Sequence, residues 1–168
     1  MESLVTSYNE TLGTWMSREV FVLLVSMIPL IELRGGLVIA YLLKMPFWSS
    51  NLFCILGNVI PIPFILLFIR QLFEWMKKHN ILTGFVRWLE ARAEKKSKGK
   101  ERGEFIVLWL FVGIPIPGTG AWTGALIASL MRFDIKKASL AIGLGILTAA
   151  VIMNILTYFG LGYLFGIG

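Results

Sequence analysis

The residues of this sequence best suited to chemistry lie at Ile28 to Tyr41, I-P-L-I-E-L-R-G-G-L-V-I-A-Y, where Glu32 and Arg34 interrupt an apolar run. Charges are costly in hydrocarbon, and non-helical backbone survives at membrane depth only where protein buries it or a wet cavity receives it. Pro29, Glu32, Arg34, Gly35 and Gly36 therefore mark either a site or the scaffold of one. A second break, P-I-P-G-T-G at Pro115 to Gly120, supplies Pro117, Gly118, Thr119 and Gly120 and no charge. Helix N-termini at such breaks present free N–H groups and about half a positive charge. Arg34 can hold a carboxylate or phosphate through two parallel hydrogen bonds, and Thr119 can donate its hydroxyl. The candidate substrate-binding set is thus Glu32, Arg34, Gly35, Gly36, Pro117, Gly118, Thr119 and Gly120, expected to form a cationic, donor-rich pocket. Glu32 can hold Arg34 while the pocket is empty, or can titrate and so couple the pocket to protons. The plainer reading is that Glu32 and Arg34 form an ion pair that only fixes the local fold.

The elements that would position these residues follow from composition. The 168 residues are 57% hydrophobic and 15% charged, with a mean hydropathy of +0.76. That is far more apolar than a soluble domain and indicates an all-α integral membrane protein of a single domain. Enzyme readings lack parts: there is no Ser, His and acid set, no metal-spaced His or Cys cluster and no phosphate-binding G-x-x-x-x-G-K loop. The single Cys54 lies in an apolar run and reads as core, and His79 stands alone. No metal or cofactor is expected. A cleavable leader is not expected either, since residues 1 to 19 carry Glu2, Glu10 and Glu19 against Arg18.

Residues 1–19 read as an amphipathic interfacial helix with Trp15 at the headgroup level. Residues 20–69 read as a half-helix to Ile31, a polar break at Glu32 to Gly36, a second half-helix at 37–45, a turn at Lys44 to Asn51 and a full span at Leu52 to Ile69 kinked at Pro61 and Pro63. Residues 70–104 hold ten Lys or Arg against five Glu and read as a basic amphipathic helix and loop on the cytoplasmic surface. The lipid surface explains this basic run better than nucleic acid does. Residues 105–168 repeat the pattern: a half-helix, the break at Gly118 to Gly120, a half-helix at 121–131, a turn at Arg132 to Lys137 and a span from Ala138 to Phe165.

The chain matches itself at an offset of 86 residues before the breaks, Pro29 on Pro115, and of 88 after them. There Gly36, Ile39, Ala40, Leu42, Lys44 and Gly57 fall on Gly124, Ile127, Ala128, Leu130, Arg132 and Gly145. Each repeat then comprises a re-entrant helical hairpin and a transmembrane helix, and one crossing per repeat inverts the second relative to the first. If both hairpins re-enter, 13 of the 16 basic residues share one face, the cytoplasmic one. Four plain spans would instead scatter them. Asn58 and Asn154, at near-equivalent places, are expected to make an interhelical hydrogen bond.

The stretch I-E-L-R-G-G-L-V-I-A-Y, followed by P-I-P-G-T-G-A-W-T-G at Pro115 to Gly124, resembles the small multidrug export proteins over nearly the whole chain. More distantly, paired re-entrant hairpins with an acid and an Arg at the tips resemble the DedA, or VTT-domain, membrane proteins. These are implicated in moving lipid carriers such as undecaprenyl phosphate. The resemblance implies that Glu32, Arg34 and the turn from Pro117 to Gly120 are the functional positions. The resulting expectation is a multi-pass transporter or flippase of the inner, or plasma, membrane, taking an anionic or amphipathic small molecule or lipid between the hairpin tips. Proton-coupled export of a cationic drug through Glu32 is the alternative, and a non-transporting membrane scaffold a further one. Membrane lipids are the expected partners, and a homodimer is compatible with a chain of this size.

Overall fold

The computed structural model describes residues 2–10, 13, 15–79, 101–116 and 118–161, and among these all regular structure is helical. The elements are α1 (Glu2–Glu10), α2 (Arg18–Ser26), α3 (Glu32–Leu42), α4 (Phe47–Val59), α5 (Pro61–Lys78), α6 (Glu101–Gly113), α7 (Ala121–Leu130) and α8 (Ile135–Asn154), the last continuing as π-helical turns over Ile155–Leu161. Two apolar stretches are long enough to cross a bilayer, Phe47–Ile69 through the α4–α5 junction and Ile135–Thr157, with 23 residues each. At 1.5 Å per residue each reaches about 34 Å, against roughly 30 Å of hydrocarbon. Only 39% of an 18-residue apolar window in each is buried within the protein. Leu52, Leu56, Phe64 and Phe68 on one and Leu140, Leu144, Leu147 and Val151 on the other face outward, an apolar surface suited to lipid and not to water. Helices α2, α3 and α7, of 9, 11 and 10 residues, reach about 14 to 17 Å, roughly half that thickness.

The short helices pair as hairpins. Helices α2 and α3 pack against each other, and Arg18 at the start of α2 donates to the carbonyl of Leu43 at the end of α3, at 3.0 Å. The break between them comes earlier than the sequence suggests, at Met27 to Ile31. Pro29 accounts for this, because it has no N–H to offer and biases Ile28 away from helical backbone. Arg34, Gly35 and Gly36 consequently lie inside α3 and not in a non-helical turn, with Glu32 at its first position. Gly36 is buried against Ser26 and Cys54, where a Cβ would collide. In the second half α6 packs on α7 and the chain breaks at Ile114 to Gly120.

The offsets of 86 and 88 recur in the contacts. Helices α3 and α7 end in the same way: Lys44 and Arg132 both adopt φ of 54°, and Met45 and Phe133 donate back to the carbonyls of Ala40 and Ala128, at 3.0 and 2.9 Å. This six-to-one closure satisfies a carbonyl that the helix end leaves free. Gly57 of α4 lies against Leu23 and Ser26 of α2, while Gly145 of α8 lies against Trp109 and Val112 of α6. Leu23 and Ser26 precede Trp109 and Val112 by 86 residues, and Gly57 precedes Gly145 by 88. Gly57 and Gly145 thus each admit a close helix–helix approach.

Helix α4 begins at Phe47, inside the stretch read as a turn, and α8 begins at Ile135. The start of α4 lies beside the end of α8, where Asn51 and Asn154 exchange hydrogen bonds of 3.2 and 2.6 Å. Asn154 therefore does form an interhelical bond, but its partner is Asn51. Asn58, two turns further along, is buried with its side-chain carbonyl oxygen unpartnered. In the basic stretch, α5 runs through Lys78 and α6 starts at Glu101, so the boundary drawn at 104 falls within a helix; positions 80–100 lie outside the described residues. At the N-terminus α1 rests on α3, with the Tyr8 ring 4.8 Å from that of Phe21, and Trp15 is 90% exposed.

Candidate functional site

The two hairpin tips meet, and their helix ends are completed across the junction. Gly120, which precedes α7, has no side chain with which to cap it. The cap comes from the other hairpin: the Trp122 amide donates to Glu32 Oε1 at 3.1 Å. A carboxylate at a helix N-terminus satisfies free N–H groups and meets the positive end of the dipole. Glu32 is 5% exposed and holds φ at 50°, a left-handed conformation that costs a non-glycine residue about 1–3 kcal/mol and that recurs at functional positions.

Arg34 does the converse. Its Nη2 donates to the carbonyls of Val112 at 3.3 Å and Ile114 at 3.1 Å, the C-terminal end of α6, and to Thr119 Oγ1 at 3.4 Å. The Thr119 hydroxyl in turn donates to Ile114 or Ile116, at 3.0 and 2.9 Å. Direct pairing between Arg34 Nη1 and Glu32 Oε2 is longer, 3.6 Å, so the pair does more than neutralise itself: each charge serves a helix end of the opposite hairpin. Trp122 completes the exchange, its indole N–H donating to Met27 at the C-terminal end of α2, at 3.1 Å. Trp122 lies 88 residues after Arg34, and each side chain donates to the C-terminal end of a helix in the other hairpin.

A cleft of about 420 Å³ opens at this junction. Of the sequence-derived candidates it is lined by Glu32, Arg34, Gly35, Gly118, Thr119 and Gly120. Gly36 does not reach it, being the packing contact with Ser26 and Cys54, and Pro117 lies outside the described residues. Gly118 takes φ of 83° with open space around it, the backbone freedom its turn requires. Thr123 in the first turn of α7 also lines the cleft; no helical spacing from Thr119 marks it in the sequence, because Thr119 precedes the helix and Gly120 between them is extended. Ile28 and Leu30 of the first tip and Ile114 and Ile116 of the second are exposed beside the cleft, Leu30 by 96%, giving it an apolar rim. The pocket is therefore less cationic than expected, since its N-terminal amides already hold Glu32 and Arg34 is engaged with carbonyls. Among the described residues no group of His, Cys, Asp or Glu could hold a metal ion.

No curated protein and no solved structure matches the chain. A family model does: the family described as "Putative small multi-drug export protein" matches residues 32–152, from Glu32 at the start of α3 through the second tip and most of the second span. With that match, two apolar helices of spanning length and an otherwise helical fold, the chain is a membrane protein and belongs to the putative small multi-drug export protein family.

Proposed function

We propose that the protein is a transporter that engages an amphipathic substrate in the cleft between two re-entrant hairpins of inverted orientation. Several observations support the arrangement. The starts of α2 and α4 and the end of α3 cluster at one end of the molecule, and the Asn51–Asn154 bond brings the end of α8, not its start, to that same end. The hairpins then enter from opposite faces, and the basic residues of 70–104 and the Arg132 to Lys137 turn collect on the cytoplasmic side of the inner membrane.

The carrying observation is the tip junction itself: a buried carboxylate, a guanidinium and two hydroxyls around a cleft with an apolar rim. An anionic headgroup, such as that of a lipid phosphate, would take the place of the Glu32 carboxylate at the α7 N-terminus beside Arg34, its tail lying on Leu30 and Ile116. In that case Arg34→Ala lowers translocation of a fluorescent short-chain lipid phosphate in proteoliposomes by about tenfold or more, the worth of one charge-assisted hydrogen bond, while Glu32→Gln retains it. The carboxylate on the cleft wall favours a second reading, export of a cationic amphiphile in exchange for a proton. Ethidium efflux lost in Glu32→Gln and kept in Arg34→Ala would select it. Full activity of the Glu32→Ala, Arg34→Ala double variant in both assays would exclude transport through this cleft and leave a membrane scaffold.

A further inference from the structure

A second cavity lies away from the tips, between the start of α6 and the turn joining α7 to α8. It measures about 760 Å³, and Arg132, Lys136 and Lys137 line it. It runs into an apolar groove of about 360 Å³ between α6 and α7, walled by Val107, Phe111 and Ile127; Glu104, Leu108, Met131 and Phe133 belong to both. Two acids, Glu104 and Asp134, line it as well; Asp134 caps the start of α8, accepting from the Lys137 amide at 3.0 Å, and the three cations outnumber the two acids. The corresponding corner of the first half is built differently. There Arg18, 86 residues before Glu104, reaches the carbonyl of Leu43, 88 residues before Met131. A glutamate cannot donate to a carbonyl in this way, and among the described residues the cavity opens beside it.

The cations sit where the span Ile135–Thr157 begins, at the depth of lipid phosphates, and the groove continues from them toward hydrocarbon. We infer that this corner binds one anionic phospholipid, its phosphate on Arg132, Lys136 and Lys137 and one acyl chain in the groove along Val107, Phe111 and Ile127. Charge complementarity selects an anionic lipid over a zwitterionic one, and the groove selects a lipid over a soluble phosphate. The inference rests on α8 crossing the membrane and not on what the tip cleft carries.

The test is native mass spectrometry of the full chain in mild detergent, titrated with phosphatidylglycerol or phosphatidylcholine. One phosphatidylglycerol should be retained per chain and phosphatidylcholine should not. Replacing the three cations together, Arg132→Gln, Lys136→Gln and Lys137→Gln, should weaken retention roughly a hundredfold, about fivefold per cation. Ile127→Trp, which fills the groove and leaves every charge in place, should weaken it as well. If the triple variant does not fold, the unaltered chain serves: phosphatidylglycerol must be lost progressively with added salt. Equal retention of both lipids, salt-insensitive binding, or full retention by either variant would overturn the site.

Discussion

Glu32 and Gly120 occupy corresponding positions, 88 residues apart, and contend for the same space: a Cβ on Gly120 would fall on the Glu32 carboxylate. Gly120 is extended, with φ of −164°, so its smallness answers to that neighbour and not to backbone strain. Gly120→Ala should therefore destabilise the protein by about 1–3 kcal/mol, read as a fall in the midpoint of thermal unfolding. In a Glu32→Ala background the same change should cost little. Additive losses in that double-mutant cycle would show that the carboxylate does not set the size limit at position 120. At this scale the sequence was informative about residue identity: Glu32, Arg34 and Thr119 are each uncommon choices in an apolar run, and all three line the cleft. Their partners were not legible, because the carbonyls of Val112 and Ile114 and the amide of Trp122 belong to backbone that any sequence possesses.

Among the elements, the glycines divide by what faces them. Gly57 and Gly145 let α4 and α8 approach α2 and α6, with Leu23 and Trp109 carbonyls close to where a Cβ would stand, whereas Gly143 has nothing within reach. Gly57→Ala and Gly145→Ala should each cost on the order of 2 kcal/mol by forcing these helices apart. Gly143→Ala should be neutral or stabilise by up to about 1 kcal/mol, since alanine is the better helix former; unfolding midpoints in one detergent compare the three. Similar losses at all three positions would mean that the glycines serve flexibility and not contact. The equivalence of Gly57 and Gly145 was visible as a spacing match, and the contacts now give its cause. By propensity E-L-R-G-G reads as a helix breaker, so the sequence suggests a later start for α3 than the structure has. In the fold Pro29 has already made the break, Gly36 is required small by Ser26 and Cys54, and packing overrides the weak propensity of glycine.

For the whole molecule, the arrangement of helices makes a prediction about sidedness. Trp48, 82% exposed at the start of α4, and Lys136, exposed at the start of α8, stand at opposite ends if the spans Phe47–Ile69 and Ile135–Thr157 run antiparallel. Trp48→Cys and Lys136→Cys should label from opposite sides of an intact membrane with an impermeant maleimide, the native Cys54 being silent because it is fully buried. Labelling of both from one side would rule out the opposed hairpins. Hydropathy and charge bias could suggest this architecture but not how the tips interlock, because that depends on three-dimensional proximity between residues about 80 to 95 positions apart. The crowding at positions 32 and 120 also bears on stoichiometry. A second acid at position 120, 88 residues after Glu32, would fall on the Glu32 carboxylate, so the junction holds one. Whatever titration this junction supports is confined to one proton equivalent per chain in each cycle, and a measured exchange ratio above one would have to draw on a group elsewhere.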